Sequence, residues 1–284
     1  MRLLVTGANG QVGRSLLNEA AIAGGVTAVG LTRAELDIAS PEAVERALAE
    51  HAPDVLINAA AYTAVDAAES DAEAAYLGNA IGPRELASAC AQRGVPLIHL
   101  STDYVFDGAL EHPYRESDPV SPLSVYGSSK AEGEQGVREM AEQHIILRTS
   151  WVFSEHGSNF VKTIARLAAE RDELRVVDDQ FGGPTSARAI AAAILAMVDR
   201  YAEQGTLPWG TYHFCQLPHV SWHHFACDIA AGTGTNVVPV PSSAYPTPVV
   251  RPKNSRLSRD AFDAAFGQST PGWAVDLTRV LSLL

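Results

Sequence analysis

Residues 2–13 read RLLVTGANGQVG, and this stretch decides the fold. The apolar run RLLVT is typical of a buried strand, glycines follow it at positions 7, 10 and 13, and a helical pattern begins directly afterwards. A strand, a tight glycine turn and the start of a helix together form an anion site, because backbone N–H groups point outward and the missing side chains let a pyrophosphate approach. We therefore predict a dinucleotide-binding loop made by Gly7, Gly10, Gln11, Val12 and Gly13.

The chain beyond this loop alternates short apolar runs with helical patterns up to about residue 150. The runs VTAVGLT, DVLINAAA, VPLIHLSTDYVF and HIILRTSWVF predict strands, and the segments between them, such as PEAVERALAEH, predict helices. Strands separated by helices of this length indicate a parallel sheet with helices on both faces. The predicted fold class is therefore α/β, a doubly wound parallel sheet of the Rossmann type.

The second half of the chain is less regular. NFVKTIARLAAERDE and SARAIAAAILAMVDRYAEQG predict helices, LRVVDDQ predicts a strand, and a dense group of prolines in residues 205–284 favours extended and looped backbone. We predict that residues 1–150, with residues 174–204 returning to them, form the NAD(P)-binding domain. Residues 151–173 and 205–284 are predicted to form a smaller mixed C-terminal domain that closes over the first and holds the substrate.

Composition argues against several classes of protein. The chain has 284 residues, 46% hydrophobic and 19% charged, and its formal net charge of −12 disfavours broad binding to nucleic acid or to an anionic membrane. Its apolar runs are shorter than the roughly 18 to 20 residues that span a bilayer, and Gly7 interrupts the first of them, so we expect a cytoplasmic protein. Cys90, Cys215 and Cys227 are too scattered for a disulfide framework or a metal site.

The end of the second predicted strand bears on which dinucleotide binds. No acidic residue ends this strand, and Thr32 and Arg33 stand there instead. An arginine at this place accommodates a 2′-phosphate, whereas an acidic residue accepts a hydrogen bond from a free ribose hydroxyl. We therefore predict NADPH as the cofactor and leave NADH open, because Arg33 also fits a solvated surface charge.

Two further segments are predicted to contact the cofactor. Asp37 can accept a hydrogen bond from the exocyclic amine of adenine while Ile38 packs on the ring. After the strand that ends at Asn58, small side chains let backbone and cofactor come close, although they also suit tight packing of a helix on the sheet. The residues predicted here are Asp37, Ile38, Ala59, Ala60 and Ala61.

Polar residues follow the apolar run LIHL, at the edge where open parallel sheets bind their ligands. Because side chains alternate along a strand, Ser101 and Thr102 should face opposite sides, so we expect only one hydroxyl in the site. In SVYGSSKAEGE, residues 124–134, Tyr126 and Lys130 lie four residues apart on one face of a predicted helix. These elements are expected to converge on one crevice.

Together these residues resemble the extended branch of the short-chain dehydrogenase/reductases, whose hallmarks are GxxGxxG, YxxxK and a Ser or Thr on the preceding strand. Within that branch, five ordered segments resemble the family of dTDP-4-dehydrorhamnose reductases, and the resemblance covers nearly the full length. The segments are STDYVFDG (101–108), YGSSK (126–130), RTSWVF (148–153), DQFGGPT (179–185) and YPTPVVRPKNSRL (245–257).

The resemblance implies NADPH-dependent reduction of the C4 ketone of dTDP-4-dehydro-6-deoxy-L-mannose to dTDP-L-rhamnose. It implies that Tyr126 donates the proton, that Lys130 activates it and binds the nicotinamide ribose, and that Thr102 orients the carbonyl. It further implies a nucleotide-sugar pocket, although a core role for Trp151 and a structural ion pair for Arg251 stay open. The pocket residues are Thr102, Asp103, Trp151, Asn159, Arg251 and Asn254.

The pairing of Tyr126 with Lys130 also has a physical basis. Negative charge grows on the carbonyl oxygen as hydride arrives, and that oxygen needs an adjacent donor. A tyrosine with a pKa near 10 is a sluggish donor at neutral pH, and lowering that pKa by about three units corresponds to roughly 4 kcal/mol. We expect Lys130 to lower the pKa of Tyr126 in this way, helped by the positive nicotinamide of the oxidised cofactor.

One departure from the family bears on metal and assembly. Some relatives are dimers bridged by magnesium through glutamates, one of which stands just after the glycine loop. Arg14 and Ser15 occupy this place here, so we predict no functional metal and a monomer or weak homodimer.

Three other functions stay open. The first is reduction of another nucleotide-linked 4-keto-6-deoxy sugar, and the second is epimerisation or dehydration by an enzyme of the same branch. Tyr104 stands where a dehydratase would carry its glutamate. The third is a non-catalytic regulatory or binding subunit of the same fold, which intact Thr102, Tyr126 and Lys130 disfavour.

Overall fold

The computed structural model describes residues 1–267 and 270–284. The strands are β1 (Arg2–Thr6), β2 (Thr27–Leu31), β3 (Val55–Asn58), β4 (Leu97–Thr102), β5 (His144–Thr149), β6 (Val152–Phe153), β7 (Glu173–Val177), β8 (Phe181–Gly182), β9 (Thr185–Ser186), β10 (Gly210–His213), β11 (Val220–Ser221) and β12 (Asn236–Val240). The α-helices are α1 (Gln11–Ala23), α2 (Pro41–His51), α3 (Val65–Ala68), α4 (Ala72–Tyr76), α5 (Gly82–Arg93), α6 (Val125–Met140), α7 (Phe160–Glu170), α8 (Ala187–Gln204), α9 (Trp222–Ile229), α10 (Asp260–Phe266) and α11 (Trp273–Leu281). A π-helical turn covers Leu77–Ile81, and 3-10 turns cover Asp103–Val105 and Ser242–Ala244.

Six strands form the main sheet in the order β10-β5-β4-β3-β1-β2, with every neighbouring pair parallel. The chain passes from β1 to the β2 edge and then crosses back to β3, so the strand order reverses between β1 and β3. Open parallel sheets bind ligands at such a switch point, outside the carboxyl ends of the strands. The predicted doubly wound α/β fold is confirmed.

Helices cover both faces of this sheet because side chains alternate along each strand. On β1, Leu3 and Val5 pack with α1 and α8 on one face, whereas Leu4 packs with α2, α5 and α6 on the other. All three side chains are fully buried. Apolar residues on both faces of a central strand are typical of a parallel sheet that is covered twice.

The longest described helix, α8, has 18 residues and packs across α1. This helix is amphipathic. Its buried face carries Ile190, Ile194 and Met197, and its solvent side carries Arg188 and Arg200. Within residues 1–267 and 270–284, no helix is both long and apolar enough to cross a membrane.

Short strands and helices of the second half enclose a third core. β7 pairs with β12 in parallel, and β6 with β9, while β8 and β11 are antiparallel. Leu174, Phe225 and Trp273 pack together in this core. Its elements come from α7, α9 and α11 as well as from the strands, so its contacts join segments that are far apart in the chain.

Two segments pair differently from the predicted division of the chain. The strand predicted over LRVVDDQ exists as β7, but it buries Leu174 and Val176 in the third core instead of returning to the main sheet. β10, predicted to lie outside the NAD(P)-binding domain, pairs with β5 at the edge of the main sheet. Its sequence GTYH is short and only partly apolar, so no periodic pattern marks it as a sheet strand. The rest of the domain division stays a prediction.

Candidate active site

The glycine loop joins β1 to α1 at the switch point of the sheet. Gly7 has a left-handed φ of +69°, and a Cβ there would lie 2.6 Å from the backbone of Ala59, so only glycine fits. Gly13 lies against the carbonyl oxygen of Gly7. Gly10 caps α1 with no side-chain hydrogen bond, so the first N–H groups of the helix are suited to binding an anion. The loop therefore fits the pyrophosphate of a dinucleotide.

Two predicted residues of the loop make side-chain contacts of their own. Val12 is buried in the core beneath the loop. Gln11 accepts hydrogen bonds at Oε1 from Ser154 Oγ and from Asn159 Nδ2, both at 2.9 Å, so its side chain ties the loop to the segment before α7. Asn159 also caps α7 by accepting the N–H of Lys162 at 3.1 Å. Its predicted contact with a nucleotide sugar stays a prediction beside this capping role.

A carboxylate lies beside the end of β2, although it belongs to a residue several positions further along the chain. Glu35 Oε2 accepts hydrogen bonds from the backbone N–H and from the hydroxyl of Thr32, both at 2.8 Å, and these bonds lower the pKa of Glu35. No acidic residue ends β2 itself, but the turn after the strand brings the carboxylate of Glu35 back to Thr32. Arg33 is exposed on the same turn. A cation and a carboxylate thus both border the place of the adenosine ribose.

The other residues predicted around the cofactor differ in exposure. Ile38 is 7% exposed and packs in the core beneath α5, so it has a structural role, and its contact with adenine stays a prediction. Asp37 is exposed beside it. Ala59 and Ala60 are half-buried and Ala61 is exposed, and the first of them meets Gly7 backbone to backbone. The close approach of the cofactor to these alanines stays a prediction.

Thr102 and Tyr126 meet at the carboxyl end of β4. The hydroxyl of Thr102 donates to Asp103 Oδ1 at 3.0 Å and lies close enough to the phenol of Tyr126 to act on its pKa. Ser101 points the other way and donates to Glu134 Oε1 at 2.6 Å. The predicted alternation is confirmed, and of the two hydroxyls only that of Thr102 lies beside the tyrosine.

The local sequence explains how Tyr126 reaches this strand end. Ser124 begins α6 by accepting a hydrogen bond from the N–H of Gly127 at 3.0 Å. Gly127 itself lies against the carbonyl oxygen of Tyr104, a contact that any side chain would prevent. The first turn of α6 therefore sits directly on the turn after β4, and the rings of Tyr104 and Tyr126 meet edge to face with 5.6 Å between centroids.

Burial dominates the acidity of Tyr126. The residue is 8% exposed, and burial raises its pKa to about 12 although the hydrogen bond with Thr102 opposes the rise. Lys130 is 2% exposed and donates from Nζ to the carbonyl oxygen of Leu100 at 2.6 Å. Burial, Thr102 and Asp103 are the surroundings that shift the pKa of Tyr126 in the protein by itself, so the activation of Tyr126 by Lys130 stays a prediction.

The charge of Lys130 is also set by its surroundings. Burial lowers the pKa of Lys130 to about 8, and the negative charge of Glu134 opposes this fall. Lys130 is consequently an ammonium at pH 7, and it begins to lose its proton about two units below an ordinary lysine.

Asp103 lies behind the two hydroxyls and is 2% exposed. Burial raises the pKa of its carboxyl to about 6, while hydrogen bonds from Ser255 and Thr102 act against the rise. Ser255 also accepts a hydrogen bond from Trp151 Nε1 at 3.2 Å. Ser255 thus connects two residues that were predicted to bind the nucleotide sugar. We did not single it out from the sequence, although it stands in the segment YPTPVVRPKNSRL.

Trp151 has a backbone conformation that is uncommon outside glycine, with a φ of +48°. Its indole stacks on Trp222 with 3.5 Å between ring centroids and 6° between the planes, and Gly182 also packs against it. One face of the indole is therefore covered by the protein, which agrees with the core role that the sequence left open. Stacking of Trp151 on a base or sugar stays a prediction.

Arg251 reaches the reacting centre from the segment after β12. Its Nη2 donates to Asp66 Oδ2 on α3 at 2.8 Å, which is the ion pair that the sequence left open. Burial raises the pKa of Tyr104, and the cation of Arg251 opposes that rise, so its charge acts at the turn after β4. Its Nε is buried and has no hydrogen-bond partner among the described residues.

Asn254 has a different role from the one expected. It is 6% exposed, and its Nδ2 donates to the carbonyl oxygens of Leu110 at 2.7 Å and His112 at 2.8 Å. Its Oδ1 accepts from Arg256 Nε at 2.7 Å. Because both ends of the amide are used, Asn254 fastens its segment to the loop before Tyr114 and has no group left for a substrate.

The described residues also bear on metal binding and on the thiols. Among residues 1–267 and 270–284, no group of three or more His, Cys, Asp or Glu side chains is arranged to hold a metal ion. Arg14 is exposed at the start of α1, and Ser15 is buried. The lack of a functional metal stays a prediction.

Cys90 and Cys215 are buried thiols, and Cys227 is half-buried.

Comparison with known proteins agrees with this site. The family model described as "RmlD substrate binding domain" matches residues 1–284. A dTDP-4-dehydrorhamnose reductase from Burkholderia thailandensis is 46% identical over 286 aligned residues, which cover 96% of this chain and 95% of the relative. One from Sinorhizobium fredii is 43% identical, over 99% of this chain and 97% of the relative.

Solved structures give the same result. A dTDP-4-dehydrorhamnose reductase from Clostridium acetobutylicum superposes with a TM-score of 0.93 at 38% identity, covering 100% of this chain and 99% of that one. A second, from Bacillus anthracis in complex with NADP, superposes with a TM-score of 0.91 at 36% identity over the same shares. The resemblance predicted from five motifs is confirmed: this chain belongs to the RmlD substrate binding domain family, the family of the dTDP-4-dehydrorhamnose reductases.

Proposed function

We propose that this chain reduces the C4 ketone of dTDP-4-dehydro-6-deoxy-L-mannose to dTDP-L-rhamnose with NADPH, the activity after which its relatives are named. The observation that carries the proposal is the meeting of Thr102 and Tyr126 at the end of β4, with Lys130 one turn further along α6. The glycine loop opens onto the same edge of the sheet, after β1. A phenol, a hydroxyl and an ammonium therefore stand where a bound dinucleotide would bring its reactive end.

Tyr126 is the proposed proton donor. Bound NADPH supplies a hydride to C4, and Tyr126 donates its phenolic proton to the oxygen that gains negative charge. A pKa of about 12 keeps Tyr126 protonated at neutral pH, so the proton is available in the direction of reduction. An alkoxide is a stronger base than a phenolate, so the transfer is favourable even from a phenol of raised pKa. The hydroxyl of Thr102, beside that phenol, orients the carbonyl.

In this proposal Lys130 acts once Tyr126 has begun to give its phenolic proton to the substrate oxygen. Its ammonium lies one turn from Tyr126 and favours the phenolate that proton transfer leaves behind, since opposite charges in a buried site attract strongly. Lys130 is also the residue that would bind the nicotinamide ribose. Its function is therefore electrostatic stabilisation of the product side of the step, and it leaves the free enzyme's tyrosine protonated.

The cofactor preference is proposed from the turn after β2. Arg33 is exposed there and would accommodate the 2′-phosphate of NADPH, while the carboxylate of Glu35 is held by two donors from Thr32. The relative solved with NADP supports the phosphorylated cofactor. A cytoplasmic location, a monomer or weak homodimer, and a substrate domain built from the second half remain part of the same proposal.

The direct test is NADPH oxidation with the dTDP-linked 4-keto sugar. We expect Tyr126→Phe to lower turnover by about 10²- to 10⁴-fold, the usual contribution of a positioned acid. Tyr104→Phe is the matched control, because it removes the same hydroxyl from a ring that meets that of Tyr126 edge to face. Equal turnover by wild type and Tyr126→Phe would refute the assigned donor, and a loss confined to Tyr104→Phe would reassign it.

The other candidate functions predict different results in the same assay. A reductase of another nucleotide-linked 4-keto-6-deoxy sugar would oxidise NADPH fastest with that sugar in a panel, and a preference for NADH would contradict the role of Arg33. An epimerase or dehydratase would convert its substrate without net consumption of NADPH. A non-catalytic binding subunit would show no turnover with any member of the panel.

A further inference from the structure

A buried charge cluster lies directly behind the proposed catalytic pair. Glu134 stands one helical turn after Lys130 on α6 and is fully buried. Its carboxylate accepts hydrogen bonds from Ser101 Oγ at 2.6 Å, from Arg148 Nε at 2.8 Å and Nη2 at 2.6 Å, and from Arg138 Nη1 at 3.2 Å. Burial acts to raise the pKa of Glu134, but these partners together lower it, so the carboxylate is ionised.

The cluster joins α6 to the main sheet through three strands. Ser101 lies on β4, and Arg148 lies on β5 with its guanidinium 5.1 Å from the ring centroid of Phe106. Arg148 Nη1 lies 3.3 Å from Nε2 of His213 on β10. Burial and the neighbouring Arg148 lower the pKa of His213 to about 3, so this ring is neutral and its Nε2 accepts the bond. Glu134 therefore fixes α6 against β4, β5 and β10.

Stability alone is a weak reason for such a cluster. Replacing a buried ion pair with apolar side chains of similar volume often leaves a protein equally stable or makes it more stable. The placement of the cluster indicates another role, because Tyr126, Lys130 and Glu134 lie four residues apart along one stripe of α6. A carboxylate at the next position of that stripe acts on the lysine ammonium from within the protein.

We propose that Glu134 is a positioning residue for proton transfer, which fixes the stripe of α6 that bears Tyr126 and whose charge keeps Lys130 an ammonium. This inference rests on the proposed function. The other groups near Lys130 supply no negative charge: the Leu100 carbonyl oxygen accepts a hydrogen bond from its Nζ, Tyr126 is a neutral phenol, and His99 is a buried neutral ring.

The proposal predicts shifts of opposite sign for two variants. Because burial lowers the pKa of Lys130 to about 8, activity should fall on an alkaline limb near that pH. Removing the charge of Glu134 moves the limb to lower pH, since the ammonium loses its neighbouring carboxylate. Removing the cation of Arg138, which is 35% exposed, moves the limb to higher pH because Glu134 is then less neutralised.

The experiment compares pH profiles of kcat and of kcat/KM for wild type and four variants, with NADPH and the dTDP-linked 4-keto sugar. Glu134→Gln leaves Arg148 without its partner and can unfold the chain, so the double variant Glu134→Gln/Arg148→Met, which removes both charges, is made beside it. Arg138→Gln tests the opposite sign. Glu139→Gln is the matched control, with the same substitution on the same helix at a carboxylate whose side chain is 46% exposed.

We expect the alkaline limb to fall by about one pH unit in Glu134→Gln, and to fall by less in the double variant because the cation of Arg148 is removed with the carboxylate. The limb should rise by a few tenths in Arg138→Gln and stay in place in Glu139→Gln. The unfolding free energy of the cofactor-free protein gives a second readout. A buried lysine with a lowered pKa makes stability rise with pH above that pKa, so the rise should start at lower pH in the double variant than in Glu139→Gln.

Two outcomes contradict the proposal in distinguishable ways. If wild type turns over and all limbs coincide, Glu134 has a purely structural role and this inference fails while the proposed function stands. If wild type does not turn over with any 4-keto sugar nucleotide, the proposed function itself is refuted, and the inference falls with it.

Discussion

On the proposed cofactor side, which comprises the glycine loop and residues 58–61, backbone makes the contacts, as where Gly7 lies against Ala59. On the proposed substrate side, which comprises residues 102–104, 151 and 251–255, side chains make them, as where Trp151 donates to Ser255 across 104 positions of sequence. The cofactor side has no room for an added atom, whereas the substrate side depends on polar groups that must not be lost. Adding an atom should therefore damage the cofactor side, whereas removing a polar group should damage the substrate side.

The largest effect is expected from adding one methyl group on the cofactor side. Gly7→Ala places a Cβ 2.6 Å from the backbone of Ala59 at a φ of +69°. We expect the unfolding free energy to fall by about 4 kcal/mol, from the clash and the strain together, and NADPH affinity to fall by about tenfold or more. Chemical denaturation and titration with NADPH measure the two quantities.

Gly24→Ala is the control for that variant. Its φ of +67° is nearly the same, but no described atom lies within 4 Å of the added Cβ, so it should cost only about 1 kcal/mol and leave NADPH binding unchanged. Equal losses in Gly7→Ala and Gly24→Ala would mean that the contact with Ala59 yields readily, and the contrast between the two sides would then disappear.

The cofactor side could be predicted from the sequence because local spacing determines it. Three glycines between an apolar run and a helical pattern leave few backbone paths, and the observed loop follows one that fits a pyrophosphate. The prediction for the end of β2 was incomplete, because the turn after the strand determines which side chains return to it. Glu35 stands three residues after Thr32, and only the path of the chain shows that its carboxylate returns to the strand end.

On the substrate side, removal of a buried amide should have the next largest effect. Asn254→Ala removes the donor to the carbonyl oxygens of Leu110 and His112 and the acceptor of Arg256 Nε. We expect a loss of about 3 kcal/mol in unfolding free energy with NADPH affinity unchanged within about twofold. Asn236→Ala, at an exposed position on β12, is the control and should change stability by less than about 0.5 kcal/mol. Weakened NADPH binding in Asn254→Ala would show that the two sides are not independent.

A smaller, pH-dependent effect is expected at Asp103. Burial raises the pKa of its carboxyl from an ordinary 3.8 to about 6, so the folded state holds the proton more tightly than the unfolded state. The stability from this group is complete below about pH 4 and is lost as pH rises through 6. Between pH 4 and pH 8 we expect wild type to lose about 2 kcal/mol that Asp103→Asn does not lose.

Asp107→Asn tests the sign of that effect. Hydrogen bonds from the N–H of Ala109 and from Tyr114 lower the pKa of Asp107, so its contribution to stability is present above its ordinary pKa and lost in acid. The difference between wild type and this variant should therefore change with pH in the direction opposite to that of Asp103→Asn. Parallel pH profiles for the two variants would contradict the burial of the Asp103 charge.

The substrate side could be predicted only in part. The family motifs identified Asp103, Trp151 and Arg251, but their partners Ser255, Trp222 and Asp66 come from distant segments, with 185 positions between Arg251 and Asp66. No local pattern marks such a pair. Asn254 shows the reverse case: it belongs to a matching motif, yet its amide serves the fold. Glu134 could have been predicted from the sequence, because it continues the four-residue spacing of Tyr126 and Lys130 on α6.

The smallest effect on stability is expected at the ion pair of Arg251 with Asp66. Its Nη2 and Oδ2 are 2.8 Å apart, and the two side chains are 30% and 44% exposed, so water screens the attraction. Arg251→Gln and Asp66→Asn should each lower the unfolding free energy by less than about 1 kcal/mol, and a double-mutant cycle should give a coupling of about 0.5 kcal/mol.

Arg251→Gln and Asp66→Asn should differ in their KM for the sugar nucleotide, although they should have similar unfolding free energies. Arg251 is a proposed contact of the nucleotide sugar, and the N–H groups of its guanidinium beyond the one on Asp66 would bind a phosphate. Loss of such a charge-assisted bond should raise the KM for the sugar nucleotide by about tenfold in Arg251→Gln with kcat little changed. Asp66→Asn keeps the cation and should raise the KM by less than about twofold. If both variants raise it equally, Arg251 serves only to tether residues 251–255, and the substrate side is held by buried contacts alone.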